Sequence, residues 1–194
     1  MITVINYGIS DIETISKALE VLKYDYIITN KEYDILKSDK IILPGEGDMS
    51  FAVKQLHKNN LFTMLRVCKK PILGINTGMQ VFADHLKEKN INGLGIFPGS
   101  IEKFDSEISK VPFTGLNSIE IKTKSKLFND IDSEEKFYFE HSYYLPISIY
   151  TTSVGDNETA FSASVETGNY YGVQFHPEKS GDAGLKLLKN FIEL

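Results

Sequence analysis

Residues 71–80 read Pro-Ile-Leu-Gly-Ile-Asn-Thr-Gly-Met-Gln, and this stretch sets the fold. A short apolar run after a proline predicts a buried strand. Its abrupt break at Asn76-Thr77-Gly78 into further apolar residues predicts a tight turn opening a helix, placed at 72–86 as a strand-loop-helix unit. Such a turn lifts the side chain of residue 76 onto a helix N-terminus. A hundred residues on, Tyr171-Gly172-Val173-Gln174-Phe175 predicts a second buried strand, which delivers His176 and Glu178 from its C-terminal end. An imidazole base and a carboxylate to orient it are therefore aimed at position 76. That position holds an asparagine, whose amide nitrogen has a delocalised lone pair that histidine cannot activate.

Working outward, the first half of the chain alternates strand and helix. Residues 2–6 predict a strand, Tyr7-Gly8-Ile9 a turn, and Ser10 with Glu13 a capping box opening a helix. In that helix Ile12, Ile15, Leu19 and Leu22 share one face. Further strands are expected at 26–29 and 40–43. The glycine loop Pro44-Gly45-Glu46-Gly47-Asp48 then leads to a helix with Phe51, Val53 and Leu56. Strands at 101–104, 119–122, 136–140, 149–153, 160–166 and 170–175 fill the second half, several of them antiparallel, and a last helix at 182–192 buries Leu185, Leu188 and Phe191. The fold class is α/β: a central, mixed, mostly parallel sheet flanked by helices, with ligands gathering beyond the C-terminal strand ends.

The chain has 194 residues, 42% of them hydrophobic, enough for one domain over 1–194. A net charge of -5 and a pI near 5.4 argue against a nucleic-acid-binding surface. Lys69-Lys70 and 122–126 read as solvated faces. No apolar run approaches a membrane span and no basic leader precedes the first strand, so a cytoplasmic protein is expected. The one cysteine, Cys68, excludes an internal disulfide and reads as a small packing residue. His57 reads as a surface residue and His85 as a partner of a helix C-terminus. His141 reads equally as a satisfied core group or a member of the site. No metal-ligand spacing or phosphate loop occurs, and no cofactor is implied.

Three segments, Gly74-Ile-Asn-Thr-Gly-Met-Gln80, Tyr138-Phe-Glu-His-Ser-Tyr-Tyr144 and Gly172-Val-Gln-Phe-His-Pro-Glu-Lys-Ser180, taken in that order and spacing, resemble the class I glutamine amidotransferases. Within that family the chain is most similar to the HisH-type glutaminase subunits of imidazole glycerol phosphate synthase. The likeness runs from Asn6-Tyr7-Gly8 through Leu43-Pro44-Gly45 and Gly93-Leu94-Gly95 to Gly184-Leu185. It implies the flavodoxin-like glutaminase fold, L-glutamine as ligand, and, as partner and ammonia acceptor, a HisF-like synthase subunit.

Carried over by position, the resemblance makes residue 76 the nucleophile site, His176 the base and Glu178 its orienting acid. The backbone N–H groups of Glu46 and Thr77 become the oxyanion donors, and Gly45, Gln80, Glu88, Ser142 and Tyr143 fall where the substrate is held. Where the family has a cysteine this chain has Asn76. Loss of a triad nucleophile costs on the order of 10⁶ in rate, so glutaminase chemistry is not expected. Glu46 replaces a small apolar residue and would set a carboxylate beside the oxyanion position. Val111-Pro112-Phe113-Thr114-Gly115-Leu116-Asn117 departs from the family's partner-facing segment. Three readings follow: a HisH-type subunit without its nucleophile, a pseudoenzyme serving as scaffold or glutamine-sensing regulator of a HisF-like partner in histidine or modified-sugar synthesis, or an unrelated hydrolase or binding protein reusing His176 and Glu178.

Overall fold

The computed structural model describes residues 1–8 and 12–194. The turn at Ile9 and the Ser10 capping box fall outside the described residues. In chain order the elements are β1 (Ile2–Ile5), α1 (Ile12–Val21), β2 (Tyr26–Thr29), α2 (Glu32–Lys37), β3 (Lys40–Leu43), α3 (Met49–Lys58), α4 (Leu61–Val67), β4 (Ile72–Ile75) and α5 (Thr77–Gln80). Then follow β5 (Ala83–Leu86), β6 (Ile91–Asn92), β7 (Phe97–Lys103), β8 (Phe113–Ser118), β9 (Glu120–Ile121), β10 (Lys136–His141), β11 (Tyr143–Tyr144), β12 (Thr151–Asp156), β13 (Ala160–Thr167), β14 (Tyr170–Val173) and α6 (Gly181–Ile192).

Eight strands form the central sheet in the order β2-β1-β3-β4-β14-β13-β12-β9. The first five run parallel and the last three join antiparallel, as the change of pattern in the second half predicts. Central strands buried on both faces need near-continuous apolar runs, which β1, β3 and β4 supply apart from the buried Thr3 and from Lys40 at the start of β3. Their side chains alternate between two cores. Ile5, Ile41, Leu43 and Ile72 face α2 to α4, while Val4, Ile42, Leu73 and Ile75 face α1 and α6. Because β4 and β14 are neighbours, the turns leaving their C-terminal ends lie side by side, and Val173 pairs with Ile75 immediately before both turns.

The helix expected to continue to residue 86 stops at Gln80, and Ala83–Leu86 is a strand of a smaller four-stranded sheet, β11-β7-β5-β6. The apolar residues 79–86 suit either period, and non-local pairing decides: Leu94 donates to the Val81 carbonyl at 2.7 Å and Ile96 to that of Phe82 at 2.8 Å. Gly93 allows this approach, since a Cβ there would lie 2.2 Å from the Ala83 carbonyl oxygen. His85 therefore caps no helix; it sits on β5 with Nδ1 3.3 Å from Ser100 Oγ. In α6, Leu187 joins Leu188 and Phe191 in the core while Leu185 is only half-buried. Cys68 packs in the core and His57 is exposed, stacked on Phe62. No described helix is long and apolar enough to cross a membrane.

Candidate active site at the β4 and β14 strand ends

Asn76 is the last residue before α5 and has φ 50° and ψ -112°, a backbone conformation that few side chains tolerate. The neighbouring strand holds it, with the Asn76 N–H donating to the Val173 carbonyl at 2.8 Å, and its own carbonyl accepts from Gln80 N–H at 3.0 Å to start the helix. The glycine loop is pressed against this turn. A Cβ on Gly78 would lie 2.0 Å from the Leu43 carbonyl oxygen, and one on Gly45 would lie 2.5 Å from Gly78 N. Thr77, fully buried, ties the same loop down by donating Oγ1–H to the Gly47 carbonyl at 2.9 Å. Its backbone N–H opens α5, where helix geometry provides no internal acceptor.

The three residues placed at the site by the sequence meet. Asn76 Nδ2 lies 2.9 Å from His176 Nε2, and His176 Nδ1 lies 2.8 Å from Glu178 Oε1. A backbone bond from His176 N–H to the Tyr138 carbonyl, 2.8 Å, anchors the turn that carries both. Asn76 also accepts from Gln174 Nε2 at 2.7 Å and donates to the Glu140 carbonyl at 3.3 Å. The carboxamide is engaged at both ends.

A cavity of about 590 Å³ opens over Asn76, with Glu46, Gln80, Ser142 and Tyr143 in its walls. Gln80 is buried and donates to the Tyr143 carbonyl at 3.0 Å. Gly45, carried over as a substrate-holding residue, is not in the cavity wall. Glu88 is also outside the wall; its exposed carboxylate accepts from the Tyr143 hydroxyl and pairs with Lys103 at 3.4 Å. The hydroxyl and the ammonium hold Glu88 below the usual carboxylate range, and the carboxylate pushes Tyr143 up to about 12.

Glu46, which lines the cavity with Asn76, is not a bare charge. Its carboxylate is 2.5 Å from Lys179 Nζ, which also lies 3.8 Å from Glu140. Burial works to lower the Lys179 pKa, but the carboxylates of Glu46, Glu140 and Glu178 outweigh it and hold the ammonium charged above its ordinary range. The charge anticipated at residue 46 thus arrives with its counter-ion.

His141 is buried at the cavity edge, but it is not a fully satisfied core group, since its Nε2 has no hydrogen-bond partner among the described residues. It lines the cavity, and its ring packs edge-on or tilted against Phe104, Phe113, Phe139 and Phe161. Burial drives its pKa down to about 4, so the ring is neutral near pH 7 and donates Nδ1–H to the Tyr143 carbonyl at 2.9 Å. Gln174 and Lys179 are site neighbours that the sequence did not single out. Gln174 carried a signal, an amide within the largely apolar run 171–175, and the structure buries it fully. Among the described residues no cluster of His, Cys, Asp and Glu is arranged to hold a metal ion.

A model of the family described as "Glutamine amidotransferase class-I" matches residues 3–194. Among known proteins, the imidazole glycerol phosphate synthase subunit HisH of Buchnera aphidicola subsp. Schizaphis graminum is 42% identical over 195 residues, covering 100% of this chain and 99% of that protein. The corresponding HisH protein of Vibrio parahaemolyticus is 37% identical over 199 residues, with coverage of 100% and 98%. Of solved structures, one described as a glutamine amidotransferase superposes with a TM-score of 0.73 at 15% identity, covering 98% of this chain and 97% of that one. The glutaminase domain of Trypanosoma brucei CTPS, with bound acivicin, gives 0.62 at 15% identity, with coverage of 99% and 93%. These structures share the α/β fold described above.

Proposed function

Because the chain belongs to the class I glutamine amidotransferases, we propose that it is the HisH-type subunit of an imidazole glycerol phosphate synthase of histidine biosynthesis that binds a HisF-type partner but does not hydrolyse glutamine. The observation that carries the second half is the 2.9 Å contact between Asn76 Nδ2 and His176 Nε2. An amide nitrogen donates to the imidazole lone pair; its own lone pair is delocalised into the carboxamide and does not attack a glutamine carbonyl, and its N–H occupies the imidazole lone pair that a general base needs. The same contact weighs against a hydrolase in which His176 activates water.

The cavity over Asn76 favours a second role within this reading. Its walls keep Gln80, Ser142 and Tyr143, so the protein retains a place for glutamine and would bind it as a regulator of the partner rather than consume it. The test is synthase turnover by the complex with a HisF-type partner. Turnover with an ammonium salt and none with glutamine is expected, and calorimetry should show glutamine binding to the unaltered chain. Glutamine-dependent turnover at a rate typical of active glutaminases would overturn the proposal.

A further inference from the structure

Five side chains run in line through the buried site: Gln80, Gln174, Asn76, His176 and Glu178. The contacts are Gln80 Nε2 to Gln174 Oε1 at 3.3 Å, Gln174 Nε2 to Asn76 Oδ1 at 2.7 Å, Asn76 Nδ2 to His176 Nε2 at 2.9 Å, and His176 Nδ1 to Glu178 Oε1 at 2.8 Å. The direction of donation along this line follows from groups that have no choice. At one end Gln80 Nε2 faces the Tyr143 carbonyl, which only accepts, so Gln80 presents its NH₂ to Gln174. Gln174 must then turn its oxygen to Gln80 and its NH₂ to Asn76. Asn76 Nδ2 faces a second obligate acceptor, the Glu140 carbonyl, so its oxygen is left for Gln174. At the far end a carboxylate accepts from His176 Nδ1. Each link donates toward Glu178, and reversing any one amide would set oxygen against oxygen or NH₂ against NH₂.

We propose that Gln174 is a positioning residue that fixes the carboxamide orientation of Asn76 and, through it, holds His176 as the neutral ring with its proton on Nδ1 and Nε2 bare. Bonds in such a one-directional series polarise one another, and none of the five side chains is free to rotate alone. The relay joins the cavity wall at Gln80 to the turn bearing Glu178 and Lys179. It needs at residue 76 a group that both accepts from Gln174 and donates to His176, as the Asn76 carboxamide does. This inference concerns proton placement and not ammonia release, so it stands or falls separately from the function proposed above.

The test is nitrogen-15 NMR of histidine-labelled protein at pH 7, with His176 assigned by its loss in His176→Gln. In the unaltered chain one ring nitrogen, Nδ1, should be protonated and Nε2 bare. In Gln174→Glu the ionised carboxylate cannot donate, so the Asn76 amide gives up its bond to the Glu140 carbonyl and turns its NH₂ toward the carboxylate and its oxygen toward His176 Nε2. That nitrogen must then carry a proton, and both ring nitrogens should appear protonated. Asn76→Asp makes the same demand on the ring directly and should give the same doubly protonated signature. A folded Gln174→Glu protein whose His176 keeps one bare and one protonated nitrogen would overturn the proposal. Should that variant fail to fold, the unaltered spectrum decides: a ring protonated at Nε2 and bare at Nδ1 refutes the relay, and the reverse supports it.

Discussion

Replacing Asn76 by cysteine asks whether a nucleophile is all that separates this site from a working glutaminase. The surroundings it would enter hold His176 hydrogen-bonded to Glu178 at 2.8 Å, Thr77 at the start of α5, and a glycine loop pressed against the turn. Cysteine tolerates a positive φ less well than asparagine, at a cost of about 1 kcal/mol, which the packed glycines at 45 and 78 can hold in place. Restoring the nucleophile of a triad returns a factor on the order of 10⁴ to 10⁶. Asn76→Cys with a HisF-type partner should therefore release glutamate from glutamine at least about 10⁴ times faster than the unaltered chain. A second readout follows from Cys68 being buried in the core. The unaltered protein should resist iodoacetamide, whereas the variant gains one fast-reacting thiol that glutamine protects. A folded, partner-bound variant whose thiol alkylates rapidly but releases no glutamate would refute the reasoning, because the defect would then lie beyond residue 76.

Adding Glu46→Val to Asn76→Cys should change the restored rate by less than about tenfold, since Lys179 already neutralises the carboxylate; a gain of about a hundredfold or more in glutamate release would show Glu46 acting as an uncompensated charge. Gly78→Ala should lower stability by about 3 kcal/mol in urea denaturation, because the Leu43 carbonyl stands 2.0 Å from the new Cβ. Asp48 accepts from Ser50 N–H at 2.6 Å as the N-cap of α3, so Asp48→Ala should cost about 1 kcal/mol in the same assay. His141 makes a pH prediction. Its pKa falls from 6.5 unfolded to about 4 folded, so the unfolded chain takes up the proton first on acidification. Its contribution is fully present above pH 6.5 and is lost between pH 6.5 and 4, amounting to roughly 3 kcal/mol. Urea midpoints across that window should fall more steeply for the unaltered chain than for His141→Gln.

Strands β1, β3, β4 and β14 were legible because each is a short, largely apolar run ended by glycine, proline or a polar cluster, whereas the grouping of residues 76, 176 and 178 came from the family resemblance, and the structure accounts for it by setting β4 beside β14. What escaped the sequence depends on contacts between distant segments. The strand at Ala83–Leu86 exists because residues 93–97 fold back onto 81–83 through Gly93, and a local apolar pattern holds no trace of that partner. Glu46 likewise looked like a bare charge, since nothing along the chain ties it to Lys179, 133 residues away.

Asparagine at the turn satisfies two demands that would separately favour different residues. The backbone at φ 50° favours glycine or asparagine, while the buried space between Gln174 and His176 needs a side chain that accepts on one side and donates on the other. Alanine or glycine would leave the Gln174 NH₂ and the His176 lone pair unpaired away from water, each at about 1–3 kcal/mol. Serine could serve both neighbours but fits the backbone less well, and aspartate would force a proton onto the imidazole. Among small residues, asparagine therefore meets the steric and hydrogen-bonding terms of this position together without being a nucleophile. A fold under selection for stability and partner binding, and released from the need to cleave glutamine, has a physical reason to keep it.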